Sequence, residues 1–400
     1  MVDFSLDAAT RERLEQLRQL GAALLRPAGL EADRAGEPLP PEHPLFARLV
    51  QLGVGRTRWK PAGADPAEAG EQAVSNGATG PSLTGVCTAE EMAYWDRGVV
   101  VAFPGPGLGE PPILSMGSEE QKQRFLGPFR QLDRPRWGAF AMTEPGAGSD
   151  VAAIRTTARR DGREWILNGA KCFIGNASRA DWIVVWATVD PAQGRAGHRA
   201  FVVERGTPGL GGFRVEKKMG LKAYESTSFT LQDCRVPAQN LLGGGGGGDR
   251  RAGFKGAMRT FNATRPIVAA MAVGIGRAAL DEALGFAREQ GLLERPEVRA
   301  RIERIHRKLR MARLLCDRAA WLADRGRPNI TEASMAKAVA PPIAFEATSL
   351  GMEILGEVAG QGDSLLEKLF RDVKAMDIVE GTGQIQRLVM ARKLVGLPRE

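Results

Sequence analysis

The apolar residues of this chain keep a helical spacing up to about Asp133 and alternate as in strands from Trp137. Beyond an unbroken glycine run, 243–248, they return to a helical spacing. A repeat of 3.6 and a repeat of 2 cannot be met by one kind of element, so a β unit of about a hundred residues has to lie between helical ones. The expected class is α+β, with a helical N-terminal domain over 1–136, a middle β domain over 137–242 and a C-terminal helical bundle over 243–400. The glycine run supports no regular structure and reads as a flexible connector.

Local signals divide these units further. Ser5 is placed to cap a first helix carrying Leu14, Leu17, Leu20, Leu24 and Leu25, and Pro27 is expected to stop it. A short helix is expected over 45–52 and a loose loop over 61–81. Thr88 with Glu91, and Ser118 with Gln121, have the spacing of capping boxes and predict helix starts there. In the β unit, Asn168-Gly169 predicts a hairpin between 165–167 and 170–174, with further strands at 182–188, 200–204, 213–216 and 228–236. Helices are then expected over 254–290, 296–325, 331–357 and 364–376, with a last one beyond Gly383.

Composition removes several function classes. The formal charge of +8 is modest for 400 residues, and much of it falls on one segment where Arg299, Arg301, Arg304, Arg307, Lys308, Arg310 and Arg313 surround Ile302, Ile305, Leu309 and Ala312. That is an amphipathic helix with a solvated basic face, and no nucleic-acid motif accompanies it. Cys87, Cys172, Cys234 and Cys316 are scattered without metal or disulfide spacing, and His43, His198 and His306 are equally isolated. The longest apolar run, 267–275, is too short to span a bilayer, and the N-terminus lacks a signal-peptide pattern. The chain reads as cytoplasmic.

Two stretches carry candidate chemistry. In Asp377-Ile378-Val379-Glu380-Gly381-Thr382-Gly383-Gln384-Ile385-Gln386-Arg387, a carboxylate falls between one helical pattern and the next. Gly381 and Gly383 can take positive φ and end the helix there. Glu380 fits either a solvated glutamate at a helix–helix turn or, in a dry site, a base whose proton affinity is raised by desolvation. In Phe140-Ala141-Met142-Thr143-Glu144-Pro145-Gly146-Ala147-Gly148-Ser149-Asp150, glycine-bearing turns leave backbone N–H groups free for an anion or a polar ring edge. Alone it fits a tight turn at a domain border equally well.

Taken together, these stretches resemble the acyl-CoA dehydrogenase family. Leu167-Asn168-Gly169-Ala170-Lys171, Val236-Pro237-Ala238-Gln239-Asn240, Thr264-Arg265-Pro266 and Ala278-Ala279-Leu280-Asp281 are similar to family motifs, in order from about Thr88 to Val395. The resemblance implies a middle barrel or sandwich, a C-terminal four-helix bundle, FAD as cofactor and α,β-dehydrogenation of an acyl-CoA or an acyl carrier protein thioester to the trans-2-enoyl product. It implies Glu380 as the base that takes the α-proton and the flavin as hydride acceptor. Phe140, Met142, Thr143, Gly148 and Ser149 are implied to line the flavin, and Phe173 and Gly175 to form the platform strand beside it. Thr382 and Gln384 are expected to approach the flavin. Ser149, Asn262, Arg265 and Gly381 are expected to face the substrate, and an electron-transfer flavoprotein is the expected acceptor. Some branches carry the base in the Thr-Arg-Pro motif, but Thr264 stands there, which leaves Glu380. Tyr224 and Glu225 read as solvated loop residues.

Three departures from the family pattern stand out. Phe173-Ile174-Gly175 lacks the hydroxyl of the family's Trp-Ile-Thr strand, the loop after Arg288 is shortened, and Glu357-Val358-Ala359-Gly360 replaces a Gly-Gly-x-Gly turn. In the family, the last two elements reach the FAD of a neighbouring subunit. Two assemblies remain open: a heteromer in which a paralogue supplies the missing contacts, or a homo-oligomer whose grip is rebuilt with Arg288, Arg295 or Arg299. A non-catalytic or half-site subunit and an acyl-CoA oxidase are the alternative functions.

Overall fold

The computed structural model describes residues 3–61, 79–244 and 250–396, with the helical backbone alone over 250–263. Most of the expected loop at 61–81 and of the glycine connector at 243–248 lies outside the described residues. Helices α1 (Ala8–Leu20), α2 (Arg26–Ala35), α3 (Pro44–Gln51), α4 (Pro81–Ala102), α5 (Glu110–Met116) and α6 (Glu119–Phe125) precede the strands. Helices α7 (Arg250–Glu289), α8 (Pro296–Asp324), α9 (Ile330–Leu355), α10 (Leu365–Val373) and α11 (Gly383–Leu394) follow them.

The helix starts show where local signals suffice. Ser118 and Gln121 form the expected reciprocal capping box on α6. The cap of α1 is Asp7, not Ser5; its carboxylate accepts from the Thr10 N–H at 2.7 Å, a stronger acceptor than a hydroxyl. Pro27 does not end the helix. A π turn over Gly21–Leu25 shifts the hydrogen-bond register, so Pro27 falls in the first turn of α2, where its missing N–H has no partner to lose. Thr88 lies inside α4 rather than at its start. That helix begins seven residues earlier, where Asp324 at the end of α8 accepts from the N–H groups of Ser82 (2.7 Å) and Leu83 (3.0 Å). A cap delivered from 241 and 242 residues away leaves no local signature.

Strands β1 (Gly138–Ala141), β2 (Thr157–Asp161), β3 (Glu164–Gly175), β4 (Trp182–Thr188), β5 (His198–Glu204), β6 (Leu210–Val215) and β7 (Ser226–Pro237) form one seven-stranded sheet. The order is β1-β4-β2-β3-β7-β6, with β5 also paired to β4. Every residue of β4 is buried, in keeping with its continuous apolar run.

Asn168-Gly169 is not a hairpin turn. It sits within β3, where β7 carries an extra residue between Leu231 and Cys234, and Asn168 and Asp233 hydrogen bond each other across that bulge. Glycine is needed because a Cβ at Gly169 would come within 2.4 Å of the Thr156 hydroxyl. The hairpin belongs to Asp161-Gly162-Arg163-Glu164, which joins β2 to β3 with Gly162 at φ +58.

One core joins the N-terminal helices to the sheet through Leu25, Phe46, Trp137 and Phe201. A second joins α4 to α7, α8 and α9 through Val86, Val273, Ala312 and Ala340. Each valine, leucine or phenylalanine among them removed from water contributes about 1.5–3 kcal/mol. Tyr224, on the connection between β6 and β7, packs against both cores and so brings the strand ends to the helical bundle.

Candidate active site

A short 3-10 turn, Lys374–Asp377, leads from α10 into the Glu380 stretch. Glu380 itself is left-handed at φ +56 and Gly381 follows at φ +88. The backbone strain expected at two glycines is thus borne by Glu380 and Gly381, at a cost of about 1–2 kcal/mol for the non-glycine residue. Gly383 has no positive φ. It opens α11, and a Cβ there would lie 2.5 Å from an Asp377 carboxylate oxygen. Thr382 caps α11 by accepting from the Ile385 N–H at 3.4 Å. The Gln386 side chain, fully buried, donates to the Gly381 carbonyl at 3.1 Å and fastens the turn from below.

This turn delivers the half-buried Glu380 carboxyl among three cations. Burial raises its pKa above the usual glutamate value, against a hydrogen bond from Thr264 and the charges of Arg97, Lys337 and Arg265. Oxygen Oε2 is sealed from solvent and has no hydrogen-bond partner among the described residues. Burial likewise pulls Lys337 down to about 8, against the carboxylates of Asp377 and Glu380. A carboxyl with raised proton affinity and an uncommitted oxygen is suited to take a proton from carbon.

The second stretch is built on satisfied bonds. Pro145-Gly146 turns tightly between Glu144 and Ala147, whose backbones exchange hydrogen bonds of 3.2 and 3.1 Å. Beneath the turn, Lys171 donates to the Met142 carbonyl at 3.0 Å and to Glu144 at 2.8 Å. Glu144 also accepts from the N–H groups of Arg155 (2.6 Å) and Thr156 (3.0 Å). Burial alone would raise the Glu144 carboxyl, but Lys171 and these bonds overturn it and its pKa falls. Lys171 is drawn down to about 8 because burial outweighs the pairing.

The Cys172 N–H binds the Thr143 carbonyl at 3.1 Å, which places the end of β3 beside the turn. There Cys172 and Phe173 together face one residue of β7, and this bulge turns Phe173 outward at φ +59 with 69% of its surface exposed. A phenylalanine at once left-handed and bare is unfavourable unless something stacks on it. Positions 146 and 148 have open space where a Cβ would stand. A flat aromatic cofactor edged by polar groups, such as a flavin, fits a bare ring flanked by an open turn.

Of the expected flavin residues, Thr143 and Gly175 are half-buried beside Phe173, and Gly148, Ser149 and Gln384 are exposed. The Phe140 and Met142 side chains pack with the cluster of Trp59, Phe125 and Trp186, and the Met142 carbonyl accepts from Lys171 beneath the turn. Arg265 lies near Glu380, whereas the Asn262 side chain is outside the described residues. Tyr224 and Glu225 are not solvated. Glu225 is buried on Arg179 (3.2 Å) and Ser178 (2.7 Å), because the connection carrying it is clamped between sheet and bundle. Tyr224 stands against Gly175, where a Cβ would be 3.8 Å from its ring.

Arg97 and Lys337 were not legible as site residues. Lys337 falls on the buried stripe of α9 with Ala333, Ala336, Ala340 and Ala344, and a lysine on an apolar stripe is the signal that marks it. Arg97 interrupts the apolar part of α4 in the same way and lies within electrostatic reach of both Glu380 and Tyr224.

Family profiles described as the N-terminal, middle and C-terminal domains of acyl-CoA dehydrogenase match residues 8–132, 139–234 and 251–395. The chain is 35% identical over 398 residues to cyclohexane-1-carbonyl-CoA dehydrogenase of Geobacter metallireducens, covering 98% of this chain and 99% of the relative. It is 38% identical over 289 residues to the mouse mitochondrial short-chain specific acyl-CoA dehydrogenase, covering 71% and 68%. Among solved structures, butyryl-CoA dehydrogenase of Megasphaera elsdenii superposes with a TM-score of 0.84 at 29% identity, over 98% of this chain and all of that one. With three family domains matched in sequence order and a relative matched almost end to end, this chain belongs to the acyl-CoA dehydrogenase family.

Proposed function

We propose that Glu380 is the base for acyl-CoA dehydrogenation in this flavoprotein, taking the proton from the carbon beside the thioester carbonyl. The observation that carries this reading is the sealed, unpartnered Oε2 in a carboxyl whose pKa is raised. FAD, when bound, would supply the acceptor for the hydride that leaves the β-carbon. The turn from Thr143 to Ser149, the Phe173 ring and Gly175 would hold its ring system, with Thr382 and Gln384 approaching from the bundle. Arg265, Asn262 and Gly381 would position the acyl-CoA so that its α-carbon faces Glu380. The sealed Oε2 keeps one carboxyl oxygen out of water, and a bound acyl-CoA would exclude water from the rest.

The test is anaerobic addition of a panel of acyl-CoAs to the purified flavoprotein. Bleaching of the flavin absorbance by at least one ester, with the enoyl-CoA recovered, is the expected result. No bleaching by any ester would sink the reading. Reoxidation by an electron-transfer flavoprotein but not by oxygen then separates dehydrogenase from oxidase.

A specific observation also bears on assembly. A cavity of about 390 Å³ between the end of α7 and the 356–365 turn is lined by Asp281, Glu282, Glu289 and Asp363. Of this lining, Glu289 and Val358 lie in the two elements that depart from the family pattern, and Asp281, Glu282 and Asp363 flank them. Carboxylates repel a pyrophosphate, which supports a heteromer in which a paralogue supplies the FAD contacts. Purification of this chain alone as a homo-oligomer with stoichiometric FAD would overturn that assembly while leaving the role of Glu380 intact.

A further inference from the structure

We propose that the acyl chain this enzyme accepts ends in a carboxylate, and that Arg97 is the residue that binds it. The inference rests on the reading of Glu380 as the base, and it names the class of acyl group delivered to that base.

Arg97 is pinned rather than mobile. Helix α4 breaks at Asp96 (φ −163, ψ 111), whose carboxylate accepts from the Val99 N–H at 2.8 Å and so starts the helix again. Asp96 is also held by Lys368 at 2.6 Å, and Lys368 is shared with Asp372 at 2.5 Å. On one side a Cβ at Gly98 would lie 3.2 Å from the Leu221 backbone. On the other a Cβ at Gly29 would collide with Asp96 itself. The break therefore has one packed geometry, and the first side chain after it is Arg97.

The half-buried guanidinium so placed keeps one donor without an acceptor. Its Nε is sealed from solvent and has no hydrogen-bond partner among the described residues. Burial holds its pKa down, against the nearby Tyr224, Glu380 and Asp96. Arg277 is paired with Glu90 at 2.6 Å, Arg179 with Glu225 at 3.2 Å and Arg371 with Asp33 at 2.5 Å. Arg265, also near Glu380, shares with Arg97 an Nε without a partner among the described residues but reaches Ser334 at 3.4 Å. Asp96 is taken by Lys368, and Glu380 makes no direct ion pair with Arg97. A sealed donor left without an acceptor is unfavourable, and an aliphatic acyl end laid against the guanidinium would leave it so and strip water from its terminal nitrogens as well. A carboxylate removes it by accepting from the planar guanidinium fork. Because Arg97 is within electrostatic reach of Glu380, a carboxylate bound there would belong to a chain whose α-carbon is at Glu380.

The experiment compares esters matched in chain length on the purified flavoprotein: glutaryl-CoA against valeryl-CoA, and adipyl-CoA against hexanoyl-CoA. The wild type is expected to favour one of the two carboxylated esters over its neutral match by at least about tenfold in kcat/KM. Arg97→Met is expected to lose or invert that preference, and Arg97→Lys to restore part of it. Calorimetric binding of the same esters to the Glu380→Gln flavoprotein reads the preference without turnover. A wild type that favours the neutral ester in both pairs overturns the proposal, and this result needs no variant to fold. So does an Arg97→Met protein, flavin-loaded, that slows all four esters equally, since Arg97 would then act only on Glu380. If no acyl-CoA bleaches the flavin at all, the reading of Glu380 falls first and this inference with it.

Discussion

Glu144 and Glu380 are two carboxylates withdrawn from water in the same molecule, and their surroundings drive them in opposite directions. Glu144 accepts from a lysine and two backbone N–H groups, and its pKa falls. Glu380 has the Thr264 hydroxyl, three cations at a distance and a bare Oε2, and its pKa rises. Burial is common to both, so burial does not make a base. What differs is how fully the charged form is hydrogen bonded, by a lysine and two N–H groups at Glu144 against one hydroxyl at Glu380. That difference separates a carboxylate that holds a turn from one suited to chemistry.

The contrast is tested most severely by removing each partner in turn. Glu380→Gln is expected to keep its flavin and lose about 10²- to 10⁴-fold in kcat, the range contributed by a positioned base. Single-turnover bleaching under anaerobic conditions measures it, and turnover within a few-fold of wild type would mean another base is used. Lys171→Met attacks the other carboxylate. It leaves Glu144 buried without its cation and is expected to cost about 3–5 kcal/mol, with flavin lost from the turn it supports. Thermal unfolding and flavin-to-protein ratio are the readouts; an unchanged melting temperature with full flavin would erase the distinction drawn between the two sites.

How much of this contrast the amino-acid sequence carries depends on the range of the forces involved. Ser118 with Gln121, the buried run of β4 and the stripe of Ile302, Ile305 and Leu309 are local patterns, and they are where the structure places them. The start of α4 was hidden because its cap, Asp324, comes from another helix. The role of Asn168-Gly169 was misread because the nearby Thr156, not a turn, requires the glycine. At the site, Glu380 was legible as an isolated carboxylate beside glycines. Its electrostatic surroundings were not, since Arg97, Arg265 and Lys337 arrive on α4, α7 and α9, and only tertiary packing brings them together. The Lys171–Glu144 pair is of the same kind, 27 residues apart and joined through the edge of the sheet.

A smaller effect sharpens the comparison through pH. The base must be ionised, so kcat/KM for an acyl-CoA should fall as pH drops through a value above the ordinary glutamate range. Lys337 favours the ionised form of Glu380. In Lys337→Gln that support is gone, the Glu380 pKa rises further and the acid limb moves to higher pH. Lys171→Gln, on flavin-loaded protein, should leave the limb where it is. A limb that moves with Lys171 and not with Lys337 would assign the titration to the wrong carboxylate.

The smallest expected effect concerns stability, and its sign follows from the same shift. Because the folded protein holds the Glu380 proton to higher pH than the unfolded chain does, the native state binds more protons between the unfolded pKa and the raised folded one. Stability therefore declines as pH rises through that window and stays reduced above it. Glutamine keeps the shape and the left-handed backbone of position 380 but has no proton to lose, so both proteins carry the same conformational strain. The melting temperature of Glu380→Gln should match the wild type near pH 4 and exceed it at pH 7, the gap opening across the window. Three cations remain beside the neutral side chain, but their pull is already included in the net upward shift, so they reduce the gap without reversing it. For Glu144, whose pKa is lowered, the order inverts: Glu144→Gln should be the less stable protein at pH 7, and its deficit should shrink as acid protonates the wild-type carboxyl. Melting curves of the two variants that shift in the same direction with pH would show that the two carboxylates are not opposed after all.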